Sequence, residues 1–218
     1  MKAIMISFCL FLVAFIVSAQ DAPENSLYVF GPFQEGVIYF NNGDSVVKRM
    51  NYNAGTEEFI FEQQGRLMAL DHLDLVRFIK IGENVFEPIH GKFYHKIGAN
   101  ADGLYILYRF KVIPPGTPSA YGSDSNTSAS TNWSSLADKN QLYILTIPEG
   151  YKIIRSKDFL LYKDKSLYIV NKYAQVSKLY PEKAKALKEY VKRNKLVWNK
   201  IDDLKKIIDF CCQSTTVN

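Results

Sequence analysis

Leu104, Ile106, Tyr108, Phe110 and Val112 recur at every second residue, which lines one face of an extended strand with large apolar side chains. The opposite face carries Tyr105 and Leu107, then Arg109 and Lys111, so it is covered at one end and wet at the other. The expected partner of this strand is 141–147. From Leu27 onward, short apolar runs alternate with turn signals at the spacing of antiparallel strands. Residues 37–40 and 45–50 flank Asn41-Asn42-Gly43-Asp44, where Asn-Gly predicts a tight hairpin with positive φ at both central residues. Further runs at 58–62 and 66–70 meet at Gln64-Gly65. Those at 75–81 and 85–86 meet at Gly82-Glu83-Asn84, and Pro88 closes that unit. Residues 93–97 lead to a turn at 100–103, and 158–163 and 166–170 flank Asp164-Lys165. About ten to twelve strands between Leu27 and Val170 predict an antiparallel meander forming a sandwich or partly open barrel.

After Val170 the period becomes helical. Asn171 is a candidate cap for a helix over 172–179, and Pro181 suits the first turn of the next. There Tyr180, Ala184, Leu187 and Val191 form a stripe, with lysines around the rest of the circumference. Asn199 is a candidate cap for a third helix, which buries Ile201, Leu204, Ile208 and Cys211. The fold class is therefore α+β, mainly β, with two to three C-terminal helices docked on the sheet. The body spans 20–170, the helical cap 171–212 and a tail 213–218.

The first nineteen residues read as an export signal: Lys2, an apolar run over 3–17, and Val17-Ser18-Ala19 before Gln20. The run is shorter than the roughly 20 residues that span a bilayer, and Cys9 follows a bulky Phe8, a poor site for lipid attachment. The expected product is exported, periplasmic or secreted, with no transmembrane span after cleavage. Cys211 and Cys212 are then the remaining thiols; a bridge between neighbours closes no loop, so one is expected to pack and the other to face solvent. Charge is uneven. Residues 20–171 carry 15 Lys+Arg against 17 Asp+Glu, and 172–218 carry 11 against 5, so a mildly acidic body bears a basic tail.

Asn51-Tyr52-Asn53 with 55–61, and the segments 76–86, 120–131 and 181–211, together resemble a group of exported Bacteroidetes proteins. The resemblance implies export and a β-rich body with a basic helical tail, and it transfers no catalytic residue.

Nucleophile elbow, P-loop, dinucleotide fingerprint, HExxH and paired CxxC are all missing from the sequence. Three weaker constellations remain. Asp71-His72-Leu73-Asp74 sets an imidazole beside two carboxylates, the pairing with which a hydrolase orients its base, against the plainer reading of a charged turn. His90 and His95 stand five apart, which permits joint metal ligation only if Gly91 bends the chain, so no metal or cofactor is expected. The segment 114–140 holds ten Ser or Thr in 27 residues, a solubilising composition; Tyr121 and Trp133 offer flat faces to a sugar or peptide, with Asn126 supplying hydrogen bonds. Asn126 and Asn132 also match the N-glycan acceptor pattern, as such a composition does by chance. Lys183, Lys185, Lys188, Lys192, Arg193 and Lys195 form either the solvated face of a docked helix or a contact for an anionic surface; export argues against nucleic acid. The leading expectation is a non-catalytic cell-envelope protein acting by surface recognition of an envelope protein or glycan. A hydrolase using the Asp-His pair and a structural subunit of an envelope complex are the alternatives.

Overall fold

The structure, a computed structural model, describes residues 26–98, 103–113 and 151–213, the side chain of Val112 excepted. The expectations for the leader 1–19 with Cys9, for the turn at 100–102, for 114–140 and its candidate residues, for strand 141–147 and for 214–218 lie outside them. The described residues form ten strands: β1 (Gln34–Phe40), β2 (Ser45–Asn53), β3 (Glu58–Gln63), β4 (Arg66–Ala69), β5 (Val76–Ile81), β6 (Asn84–Ile89), β7 (Lys92–Lys96), β8 (Gly103–Ile113), β9 (Lys152–Lys163) and β10 (Ser166–Ile169). Three helices follow: α1 (Tyr173–Leu179), α2 (Ala184–Arg193) and α3 (Ile201–Cys212).

All strands join one antiparallel sheet in the order β10-β9-β8-β7-β6-β5-β1-β2-β3-β4. The expected meander holds from β1 to β4 and again from β5 to β10. It is broken once, where the chain returns from β4 to lay β5 against the free side of β1. A single continuous sheet that curls without closing stands in place of two stacked sheets. The curl brings β3 onto β7: Phe59 packs edge-on against Phe93 at 5.0 Å, and the Tyr52 hydroxyl donates to the Phe93 carbonyl at 3.4 Å.

Leu104, Ile106, Tyr108 and Phe110 of the β8 stripe lie on the inner face, as their spacing predicts. Leu104 and Ile106 are buried, and Tyr108 bridges two cores. In one, the sheet covers itself, with Ile38, Met50, Tyr52, Phe59, Ile79, Ile81, Phe86 and Phe93 at the centre. In the other, the helices cover β8 and β9 through Val176, Leu187, Leu204, Ile207 and Cys211. On the outer face Tyr105 and Leu107 are buried while Arg109 and Lys111 are exposed, the expected split. The partner of β8 along its length is β9, from Gly103↔Tyr162 to Ile113↔Lys152. The polar letters Arg155, Ser156 and Lys157 hide the first half of that strand from a hydropathy reading.

On its other side β8 pairs with β7 only at His95↔Ile106 and Lys96↔Tyr105. Beyond that point the sheet splits. Glu57, in the turn between β2 and β3, spans the gap by pairing with Lys92 of β7 and, at 3.8 Å, with Arg109 of β8. Arg109 in turn binds Asp158 of β9 at 2.6 Å.

Turn chemistry departs from expectation at the first hairpin. Phe40 N–H donates to Asp44 O at 2.9 Å and Gly43 N–H to Phe40 O at 3.2 Å, with Gly43 alone left-handed at φ 96°. This is a three-residue loop, a plain turn plus a glycine bulge, rather than the tight two-residue turn read from Asn-Gly. Two-residue turns with both φ positive occur instead at Gln64-Gly65, His90-Gly91 and Asp164-Lys165.

The helices also correct the predicted caps. Lys172 precedes α1, and Asn171 instead accepts from Phe159 N–H at 2.7 Å and donates to Asp158 at 2.9 Å, tying the helical segment to β9. Lys200, not Asn199, precedes α3. Residues 181–183 form a short 3₁₀ turn before α2. At the end of α2, Lys195 is left-handed (φ 50°), its N–H donates to Lys192 O, and Leu196 N–H donates to Val191 O. That is a Schellman ending with lysine where glycine is unstrained.

Candidate functional site

The one break in the meander and three local irregularities meet at one end of the sheet. The segment from β4 to β5 carries Asp71, His72, Leu73 and Asp74 across the ends of β1 and β5. His72 is left-handed (φ 53°, ψ 51°), and its carbonyl accepts from Leu75 N–H at 3.0 Å to close a single 3₁₀ turn. Asn41 holds this turn from below: its backbone N–H donates to Leu75 O at 2.9 Å and its amide to Asp74 O at 2.8 Å.

The second irregularity is a bulge. Tyr39 pairs with Phe78 but Phe40 pairs with Val76, so Arg77 is the extra residue. Bulges leave one side chain out of the ladder and re-aim it. Pro88 is the third. Sequence reading has it close its unit, yet it lies within β6, paired with Phe93. Alternation along the β6–β7 hairpin turns its nitrogen toward β5, where it has no proton to donate. The β5–β6 ladder accordingly stops at Ile79↔Phe86, and the strands part beyond it. The fourth is the turn that puts His90 at φ 50° and Gly91 at φ 77°. Left-handed backbone costs a non-glycine residue on the order of 1–2 kcal/mol.

Between these elements lies a cleft of about 690 Å3 lined by Asn41, Asp71, His72, Leu73, Asp74, Val76, Arg77, Pro88, His90 and Gly91. Its lining combines the apolar Leu73, Val76 and Pro88 with two carboxylates, one guanidinium, an amide and two imidazoles. Asp71, His72 and Asp74, neighbours in sequence, are all part of this lining. The Asp71 carboxylate is engaged by the backbone N–H of His72 at 2.7 Å, which fixes the turn rather than the imidazole. Among the described residues of the lining none is Ser, Thr or Cys. Asn41, Arg77 and His90 were missed from sequence as members of this site, because a bulge and a strand crossover leave no periodic trace.

His90 and His95 do not share a site. His90 is exposed in the cleft, and His95 stands inside the curl, stacked on Phe86 at 4.9 Å and on Tyr108 at 5.9 Å, with Nδ1 2.7 Å from the Tyr108 hydroxyl. Among the described residues no three His, Cys, Asp or Glu are placed to share a metal. Burial, reinforced by Lys157 and Lys205, holds the His95 imidazole down at about 4. A folded-state value below the unfolded one means that the unfolded chain binds the extra proton between about pH 6.5 and 4. Stability is therefore expected to fall as pH drops through that window, by roughly 2 kcal/mol between pH 7 and 4.5. Urea unfolding at the two pH values measures it, and His95→Gln flattens the difference.

Cys211 is buried and Cys212 half-buried, both as free thiols, with Cys212 Sγ 3.6 Å from the Tyr180 hydroxyl. Burial, with the neighbouring Cys212, pushes the Cys211 thiol up to about 12, which keeps it a poor nucleophile. Lys183, predicted on the basic face, is drawn in: its ammonium donates to Cys211 O at 2.6 Å and to Gln213 O, closing the end of α3. No helix among the described residues is long and apolar enough to cross a membrane. The chain matches no protein-family model, and neither a curated protein nor a solved structure is detectably similar to it.

Proposed function

We propose that the protein is an exported recognition protein that binds a small, hydroxyl-rich polar ligand, a sugar in chemical class, in the cleft between Asp71 and His90. One observation carries the reading. Four departures from regular sheet geometry, at His72, Arg77, Pro88 and His90, converge on the same cleft. Strained backbone and bulges gather where a surface is shaped for binding. The volume suits a small molecule. Two carboxylates against one guanidinium disfavour an anion. A neutral polyol can donate to Asp71 and Asp74 while accepting from Arg77, Asn41 and a histidine, and can rest an apolar edge on Leu73, Val76 and Pro88. Export rests on the apolar run over 3–17 and the Val17-Ser18-Ala19 site.

Hydrolysis is the weaker reading, because the Asp71 carboxylate is held by the His72 backbone N–H rather than by an imidazole, and the described lining supplies no hydroxyl or thiol nucleophile. The test is calorimetric titration of the full chain with a panel of mono- and disaccharides. Arg77 is exposed, so Arg77→Ala is expected to leave the thermal midpoint in place while weakening binding about tenfold or more, the usual worth of a charged hydrogen bond. Undiminished binding in both Arg77→Ala and His72→Ala removes the cleft from the account.

A further inference from the structure

We infer that the exposed face of α2 and the turn after it form a contact for an anionic lipid surface. Lys185, Lys188 and Lys192 stand at i, i+3 and i+7, which places them along one side of the helix over a length of about 10 Å. All three are exposed, as are Arg193 and Lys195 at the helix end. None of the five lies within 4 Å of a carboxylate among the described residues, although Glu189 sits on the same helix. In the body, Lys92, Lys96 and Arg109 each hold a carboxylate. Lys183, from the same basic run, is also spent on backbone carbonyls. The five lie within a single stretch from Lys185 to Lys195, so they form one local group of exposed cations.

Lys195 extends the strip past the helix end. It occupies the left-handed position of the Schellman ending, where glycine fits without strain, and it places a positive charge at the end of the basic strip. A flat bilayer suits this surface better than an acidic polysaccharide. A single helix face is convex and offers no groove to hold a chain. Its one aromatic ring, Tyr190, has one face taken by stacking on Phe210 at 4.4 Å and 9°. Val197, two residues past Lys195, is 41 % exposed and adds an apolar side chain to the turn that follows the basic strip.

The experiment is vesicle co-sedimentation of the full chain, using phosphatidylcholine vesicles with and without about a third phosphatidylglycerol, over a salt series. Zwitterionic vesicles report whatever the apolar run over 3–17 contributes, so the difference between the two compositions isolates the charge. Replacing Lys185, Lys188, Lys192, Arg193 and Lys195 by Gln together is expected to abolish that difference, a loss of about a hundredfold or more in partitioning, and their replacement by Arg to preserve it. Lys195→Gly is expected to raise the melting midpoint by about 2–4 °C while weakening vesicle binding, a combination that a purely structural lysine does not give. Equal binding to both compositions, binding indifferent to salt, or a charge-neutral variant that still partitions overturns the proposal. Retention on heparin without partitioning to anionic vesicles overturns it in favour of an acidic polysaccharide. The cleft titration is a separate readout and stands or falls independently.

Discussion

Replacing Phe86 by alanine is expected to destabilise the protein by about 3–5 kcal/mol, one of the two largest losses for a single side chain that the structure suggests. Phe86 is fully buried on the inner face of β6, and its ring is surrounded from separate strands. Phe59 meets it edge-on at 4.9 Å, His95 stacks on it at 4.9 Å, Tyr52 lies at 5.4 Å and Phe30 at 5.9 Å. Those neighbours sit on β3, β7 and β2, each fixed by its own ladder, and on the lead-in segment, held by the Asn51 side chain, so they cannot collapse together into the space left by the ring. The cost is then the lost transfer of the ring plus a persistent cavity. A comparison sharpens the claim. Tyr39 and Phe78 stack at 4.4 Å on the outer face, where both are half-buried, and Tyr39→Ala is expected to cost only about 1 kcal/mol. Equilibrium urea unfolding of both variants checks the ranking; near-equal losses show that the curl around Phe86 is not the core.

The second large effect is polar. Asn51 is fully buried in β2, and its side chain serves the segment 26–33 as a strand partner would. Its Oδ1 accepts from Phe30 N–H at 3.2 Å and from Tyr52 N–H at 2.8 Å, and its Nδ2 donates to Phe30 O at 3.0 Å and Gly31 O at 3.1 Å. Asn51→Leu keeps the volume and strands these backbone groups without partners. Each orphaned buried group costs about 1–3 kcal/mol, and a loss of at least 3 kcal/mol is expected. Asn51→Asp keeps an acceptor but turns a fully buried carboxylate onto the Phe30 and Gly31 carbonyls, so it is expected to cost at least as much as Asn51→Leu near neutral pH. Hydrogen exchange at Phe30 and Val29 locates the damage: faster exchange there, with β8 and β9 unchanged, follows from detachment of the lead-in segment, and uniform acceleration contradicts that account.

The parts of the fold that were legible are those in which period alone decides. The alternating stripe on β8, the helical stripes through Leu187 and Leu204, and the reversals at Gln64-Gly65 and Asp164-Lys165 all follow from side-chain spacing or turn chemistry. What escaped is non-local. The first half of strand β9 runs through Arg155, Ser156 and Lys157, which face solvent and break the apolar rhythm, and its pairing is fixed by β8 on the far side of a long stretch of chain. The placement of β5 beside β1 depends on a free sheet edge that no local window displays. The Asp71-His72-Asp74 cluster was visible as a cluster, and its Asp-His geometry was not, because the carboxylate had a nearer backbone N–H to serve. Arg77 and His90 joined it through a bulge and a left-handed turn, both of which depend on how neighbouring strands run.

The chain holds three histidines, and they divide cleanly between the cleft and the core. Two-dimensional NMR of the imidazole rings during titration with the best-binding sugar therefore tests the central claim most directly. The account predicts that the His72 and His90 ring signals shift together and saturably while those of His95, shielded between Phe86 and Tyr108, stay in place. A saturable ligand that leaves His72 and His90 unmoved contradicts it.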